Sequence, residues 1–426
     1  MKALLIPLGS HGDVHPLIGV GLELRSRGHE VTVISNVYFE SLVRSQGLDF
    51  LGLQSFRELS EFFQHPDIFH PTRGWKITGR WATLDPMREV YETIARMYVP
   101  GETVVMAAYS AFGARIAQEH LGVPLATVVL EPDKLRSLHQ TALMPRPLVL
   151  DDWVPQLAKR WQLGILDRFF IDRFVGPATN AFRAELGLPP VRRFLAEWCL
   201  SPDRVIGFFP DWFAPYQPDW PPQTVLTGFP LWDPDFAPED FREVFEFLDS
   251  GDDPPIVFAP GTPMQHAHHF FSAASESCAA LGRRGMLLTK YPQQLPTRLP
   301  AGVQHFSYVP FQAVLPRAAA LVYHGGISSI GRVLATGIPQ VLMPMAYNQP
   351  DDARRLKRLG VADVLPPNQF RGPRLTRILG RLLDSQQVAA RCRQLAGKFE
   401  GCHPVGQISD LLETLQGTDL RRSRMK

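Results

Sequence analysis

Residues 2–35 read KALLIPLGSHGDVHPLIGVGLELRSRGHEVTVIS, and the alternation in this stretch sets the architecture. KALLIPL (2–8) is a continuous apolar run of the kind that is buried on both faces of a parallel sheet. Pro16 then opens an amphipathic segment with Leu17, Val20 and Leu24 at helical spacing. Gly28 closes that segment, and EVTVIS (30–35) is the next strand. Strand, helix and strand make a βαβ unit, whose crossover is right-handed. A second unit follows in VVMAAYS (104–110), the helical ARIAQEHLG and the strand-like PLATVVL (124–130), so the first half is an open α/β sheet.

Further along, the stretch from about 209 to 240 is dense in proline and aromatic residues and has no helical period. Prolines fix φ and remove donors, which predicts a stiff extended connector that packs through its tryptophans. After it the alternation resumes with PPIVFAPG, a helix near 266–282, GMLLTK, VQHFSYV, ALVYHGG, SSIGRVLATG, PQVLMPM and DDARRLKRLG, a second doubly wound domain. From 371 the pattern is helical to about 416, and the sequence closes on the basic RRSRMK. The expected division is a first domain over 1–215, a connector over 216–240, a second domain over 241–404, and a helix with a basic tail over 405–426.

Composition agrees with two domains, because 426 residues at 45% hydrophobic content bury two cores more readily than one. A formal charge of +2 gives no field of the size that nucleic acid requires. Cys199, Cys278, Cys392 and Cys402 lie far apart without metal-ligand spacing, which reads as free thiols in a reducing, cytoplasmic compartment. The opening apolar run is too short for a signal segment, and no stretch approaches the ~18 apolar residues of a spanning helix. The expectation is a soluble protein, at most peripheral to the inner membrane surface.

Two turns carry the chemistry. VYHGGISS (322–329) lies between a strand and a helix, where a helix start and two glycines let an anion approach the backbone. A diphosphate is the natural guest: His324 can donate to it, and Ser328 and Ser329 can add hydroxyls or cap the helix. The alternative is a plain tight turn with Ser328 as cap. GSHGDVHP (9–16) brings His11, Asp13 and His15 together in a loop at another strand end, candidates for a general base. Neither GxxxxGK[ST] nor GxGxxG is present, and Ser35 and Asn36 stand where a dinucleotide fold places an acid, which argues against a nicotinamide or flavin enzyme. Asp233 and Asp235 form a DxD-like pair in the connector and read as a solvated turn rather than a metal site.

The stretches GSHGDVHPLIGVGLELRSRGHEV, SPDRVIGFFPDWFAPYQPDWP, TGFPLWD and GIPQVLMPMAYNQPDDARRLKRLGV resemble the GT-B glycosyltransferases of family 1, part of the UDP-glycosyltransferase superfamily. Within that family the chain is most similar to the rhamnosyltransferases of rhamnolipid synthesis. The resemblance implies two Rossmann-like domains facing a cleft, with the last helix returning to the first domain. It places Asp13 on the position of the catalytic base, an aspartate in glycopeptide-type enzymes and a histidine in plant enzymes, with His11 and His15 flanking. Gly261 and Thr262 of APGTP fall at the diphosphate. Tyr308 falls on the residue that stacks on the base, with Val309 offering its backbone, and His324, Gly325, Gly326, Ser328 and Ser329 match the diphosphate cradle. Asn348 and Gln349 fall on the pair that binds sugar hydroxyls. Two departures bear on the donor: Asn348 replaces an acid, and Arg332 stands near a ribose-binding glutamate, leaving room for a deoxyribose nucleotide.

The implied reaction is an inverting, metal-independent transfer from a nucleotide diphosphate sugar, with no cofactor; the lean is rhamnose from dTDP-rhamnose. The acceptor is an apolar or lipid-like hydroxyl compound, with Phe62, Trp75 and Trp81 as candidate contacts among Phe56, Phe63, Phe69, Met87, Tyr91, Met97 and Tyr98, although most aromatics of this kind are core. WVPQLAKRWQLGILDRFFIDRFVG (153–176) reads either as an aromatic-basic helix at a membrane surface or as an ordinary amphipathic helix. The rival readings are a UDP-sugar glucosyltransferase acting on a small natural product or sterol-like acceptor, a nucleotide-sugar epimerase and a non-catalytic nucleotide-sugar binder.

Overall fold

Each half of the chain builds one parallel sheet from apolar runs buried on both faces. The computed structural model describes residues 1–54, 61–62, 65, 67–70, 73–143, 151, 153–261, 264 and 267–424, the last eight as backbone. The first compact unit comprises 1–232 and 403–426, and the second comprises 233–402.

The first unit holds a seven-stranded sheet of order β3-β2-β1-β4-β5-β6-β7. Its strands are β1 (Lys2–Ile6), β2 (Glu30–Asn36), β3 (Asp49–Leu53), β4 (Thr103–Ala108), β5 (Leu125–Val129), β6 (Arg204–Gly207) and β7 (Thr224–Leu226). The chain runs outward from β1 through β2 to β3 and then returns to β4 on the other side of β1, with Ile6 opposite Ala107. The order reverses between β1 and β4, and a crevice opens at the carboxyl ends of strands at such a switch point.

The second unit repeats the plan with six strands in the order β10-β9-β8-β11-β12-β13. These are β8 (Ile256–Ala259), β9 (Gly285–Leu288), β10 (Val303–Phe306), β11 (Ala320–Tyr323), β12 (Gln340–Leu342) and β13 (Ala362–Val364). Its switch point lies between β8 and β11, where Ala259 pairs with Tyr323.

Three expectations change. The helix after β1 starts at His11, not at Pro16, and runs to Ser26 with Pro16 inside it. Ser10 caps it in a capping box with Asp13, and that signal nucleates the helix five residues ahead of the proline. The stretch 216–240 is not connector throughout, because β7 pairs with β6, although it packs through its tryptophans as expected: Trp220 is buried with its indole N–H donating to the Leu135 carbonyl at 2.9 Å. Trp232 packs on Gly19, where a Cβ would lie 2.8 Å from the tryptophan. Asp233 is no solvated turn either, since it is ion-paired with Arg332 and both side chains are largely buried.

The helix Pro404–Arg424 returns to the first unit. Ile408, Leu412 and Leu415 are buried there, Arg27 pairs with Asp410 at 2.5 Å, and His29 Nε2 meets Glu413 at 2.8 Å. No helix among the described residues is long and apolar enough to cross a membrane.

Candidate active site

At the first switch point the helix start fixes where each side chain goes. Asp13 Oδ2 accepts hydrogen bonds from the Ser10 backbone N–H at 2.7 Å and the Ser10 hydroxyl at 3.1 Å. The carboxylate sits so close to Gly9 that a Cβ there would fall 2.2 Å from Oδ2, so only glycine fits. A negative charge in the first turn of a helix is also favoured by the helix dipole. Burial nevertheless pushes the Asp13 pKa up, against the Ser10 bonds and the Lys134 charge, which pull it down.

The two histidines go elsewhere. Residues four apart share a helix face, so His11 and His15 stack one above the other, ring centroids 5.5 Å apart, while Asp13 lies on the opposite side. His11 packs edge-on against Tyr38 and Phe39, and His15 against Trp232. The three residues expected to converge in one loop therefore divide into a carboxylate and an aromatic-imidazole cluster.

Asp13 has neighbours that the sequence reading passed over. Directly after β5 come Glu131, Asp133 and Lys134, the last two in a 3-10 turn, and Lys134 Nζ meets the two Asp133 oxygens at 3.0 and 2.8 Å. The same ammonium lies 5.9 Å from the Tyr109 ring centroid, just past the end of β4. Burial alone acts to discharge Lys134, but Asp133, Tyr109 and Glu131 together hold its pKa well above the ordinary lysine value. Burial pushes the Glu131 carboxyl well up, with Lys134 opposing and Asp133 and Asp13 adding to the rise. The signal was present: EPDK follows the strand-like PLATVVL, at the same edge of the same sheet as GSHGD.

The second switch point is built around His324. Its ring lies between two glycines: a Cβ on Gly261 would come 2.9 Å from Nδ1, and one on Gly326 would come 2.8 Å from Nε2. Gly261 also has φ +109°, a conformation that side chains rarely adopt. Burial pushes the His324 pKa down to about 4, against the opposing pull of the Ala259 backbone, so the ring is neutral at pH 7. Gly326 is the N-cap of the helix Ile327–Thr336, and its carbonyl accepts from the Ser329 and Ile330 N–H groups. Ser328 and Ser329 thus sit inside the first turn and do not cap it. The leading N–H groups of such a turn have no partner within the helix. Gly325, at φ +92°, makes the turn between β11 and this helix. Thr262 lies outside the described residues, as do Phe56 and Phe63.

Around this turn, Tyr308 is half exposed with its ring 5.9 Å from Phe241, while Val309 is buried. Asp233 and Arg332 both act on the Tyr308 hydroxyl, whose pKa burial raises. After β12, Tyr347 adopts φ +60° and introduces Asn348 and Gln349. Gln349 Oε1 accepts from the backbone N–H groups of Met345 at 2.7 Å and Ala346 at 3.2 Å, and Asn348 Nδ2 donates to Asp352 at 2.8 Å. Asp351, buried one turn on, pairs with Arg354 and Arg355. This charged scaffold was not singled out from the sequence.

Residues 3–140 match the glycosyltransferase family 28 N-terminal domain, and residues 287–405 match the erythromycin biosynthesis protein CIII-like C-terminal domain. The O-mycaminosyltylonolide 6-deoxyallosyltransferase of Streptomyces fradiae is 28% identical over 85% of each chain. The chain is a glycosyltransferase of the GT-B type. Its fold matches the spinosyn forosaminyltransferase SpnP with a TM-score of 0.72 at 17% identity, over 98% of this transferase and 99% of SpnP. It also matches the glycosyltransferase VinC, solved in complex with dTDP, with a TM-score of 0.67 at 16% identity over 98% and 100%.

Of the expected acceptor residues, Trp81 is core, Phe62 stacks on it at 4.0 Å, and Trp75 packs edge-on against Phe174. Met87 and Tyr91 are buried as well. Among the described residues of the transferase, no group of three or more His, Cys, Asp or Glu side chains has a metal-binding arrangement.

Proposed function

We propose that the enzyme transfers a 6-deoxyhexose, rhamnose first among them, from a dTDP-linked donor to a hydroxyl of an apolar acceptor, with inversion and without a metal ion. The observation that carries the donor reading is the Arg332–Asp233 ion pair beside Tyr308. By the family resemblance Arg332 stands near the position of a glutamate that plant enzymes set on the ribose hydroxyls, and an arginine already committed to a carboxylate is a poor reader of a 2′-hydroxyl. A relative named for 6-deoxyallosyl transfer and a fold neighbour solved with dTDP support the same reading.

Asp13 takes the acceptor proton. The acceptor oxygen forms its bond to the anomeric carbon as the bond from that carbon to the diphosphate breaks, and dTDP leaves with the electron pair. The start of Ile327–Thr336, with Ser328 and Ser329, stabilises the charge on the leaving group, and the neutral imidazole of His324 donates a hydrogen bond. Tyr308 is the platform for the base, and Asn348 and Gln349 are the sugar contacts. An aspartate of ordinary pKa (~4) is a weak base towards an alcohol, and the burial that raises the Asp13 pKa narrows the gap. Cys199, Cys278 and Cys392 are buried free thiols, which fits a reducing, cytoplasmic setting.

Thermal shifts with dTDP-rhamnose, UDP-glucose and UDP-GlcNAc test the donor, since a ligand at 100 times its Kd adds ~2.7 kcal/mol of stability. The dTDP sugar is expected to give the largest shift; a preference for a UDP sugar would overturn the donor assignment. Incubation with labelled donor and no acceptor should release free sugar slowly. An epimerised sugar, or no turnover of any donor, would contradict transfer.

A further inference from the structure

Neither switch-point turn uses the outer face of residues 153–173. There Trp153 is 77% exposed, Leu157 79%, Trp161 69%, Phe169 56% and Phe170 53%. Leu157 and Trp161, four residues apart, line up along the helix Gln156–Leu166, and Trp153 stands in the turn just before it. The π-turn Asp167–Ile171 then widens the helix, keeping Asp167 and Ile171 buried and leaving the two phenylalanines between them outside. Single exposed apolar residues are ordinary, but five large ones within 18 positions form a patch of the kind that marks an interaction surface.

Between residues 153 and 173 the exposed charges have one sign, with the exposed Asp151 just before them. Arg160, Arg168 and Arg173 are exposed. The acids between 153 and 173 are turned inward: Asp167 is buried against Arg136 at 2.5 Å, and Asp172 accepts from the backbone N–H groups of Arg193 and Phe194. Lys159 is buried too, so it adds nothing outside. A second copy in a two-fold pair would set these arginines against their own images, and among residues 153–173 no exposed carboxylate is there to receive them.

We propose that this face docks the enzyme on an anionic lipid bilayer, with the tryptophans, Leu157 and the phenylalanines entering the headgroup boundary and the arginines meeting lipid phosphates. Tryptophan belongs at that boundary, and amphipathic helices with such a face lie in its plane. Each arginine near an anionic surface contributes about fivefold to the partition coefficient. The proposal is independent of which sugar is moved.

The test is flotation of the full chain with vesicles of phosphatidylcholine alone and of phosphatidylcholine mixed with phosphatidylglycerol. Binding is expected on the mixed vesicles, weaker by ~tenfold or more on phosphatidylcholine alone and at high salt. The double variants Trp153→Ser/Trp161→Ser and Arg160→Glu/Arg168→Glu should each lose it while melting like the wild type, because these side chains are exposed. Failure of the wild type to float with the mixed vesicles, or flotation of both variants at wild-type level, would overturn the proposal. So would a wild-type dimer in sedimentation equilibrium that the tryptophan variant dissociates, since a second copy would then own the face.

Discussion

Asp13 uses one carboxylate for two tasks, capping a helix through Ser10 and serving as the proposed base; burial raises its pKa, and the Ser10 bonds and then the Lys134 charge pull it back. Removing a nearby cation raises a carboxyl pKa, so Lys134→Met should move the acidic limb of the pH–rate profile to higher pH, and Lys134→Arg should restore it. An unmoved limb in Lys134→Met would show that the ammonium does not govern the base. His324 gives a second pH signature. Its pKa is about 4 in the folded protein, below the ~6.5 of an unfolded chain, so the unfolded state takes up the proton first. Stability should therefore fall as pH drops from about 6.5 towards 4, and His324→Asn should flatten that part of the melting-temperature curve; an equally steep decline in the variant would contradict it. The candidate trio His11, Asp13 and His15 was legible from the glycine-relieved turn at a strand end, and only the family resemblance singled out Asp13 among them. The role of Lys134 was not, because nothing in EPDK reveals that burial would leave those charges facing one another.

At the scale of elements, the apolar runs and glycine turns were readable because strand burial and anion-binding turns each leave a local pattern. Helix starts and twists were less so. Pro16 looked like a first helical residue, but the reciprocal bonds of Ser10 and Asp13 settled the start earlier. The π-turn at 167–171 leaves no mark in the periodicity, and Asp233 looked solvated because its partner Arg332 is about a hundred residues away. Two substitutions probe these elements. Gly261→Ala forces a Cβ against the His324 ring at positive φ and should cost about 1–3 kcal/mol while weakening the thermal shift by donor nucleotide. Asp233→Ala leaves a largely buried arginine without its carboxylate and should destabilise the second unit by about 3 kcal/mol. A variant that melts like the wild type in denaturant titration would refute the corresponding packing argument.

Over the whole molecule, two switch points of the same design carry the two proposed roles of base and donor site, and the chain crosses back at 403 to finish the first unit. That return was expected only through the family resemblance, since a helical pattern at the end of a chain does not say where it packs. Ile408, Leu412 and Leu415 are buried, and burying each stabilises the first unit by about 1.5–3 kcal/mol. Ending the chain after Cys402 should therefore lower the first unit's melting transition and leave the nucleotide-stabilised transition of the second in place; loss of both together would show that the units do not fold separately. The division of labour predicts that the donor can be held without the base. The most direct measurement is Asp13→Asn, compared with the wild type for dTDP-sugar affinity and for single-turnover transfer. The account predicts unchanged affinity with transfer abolished, and substantial residual turnover at full donor occupancy would contradict it and move the base to His11 or His15.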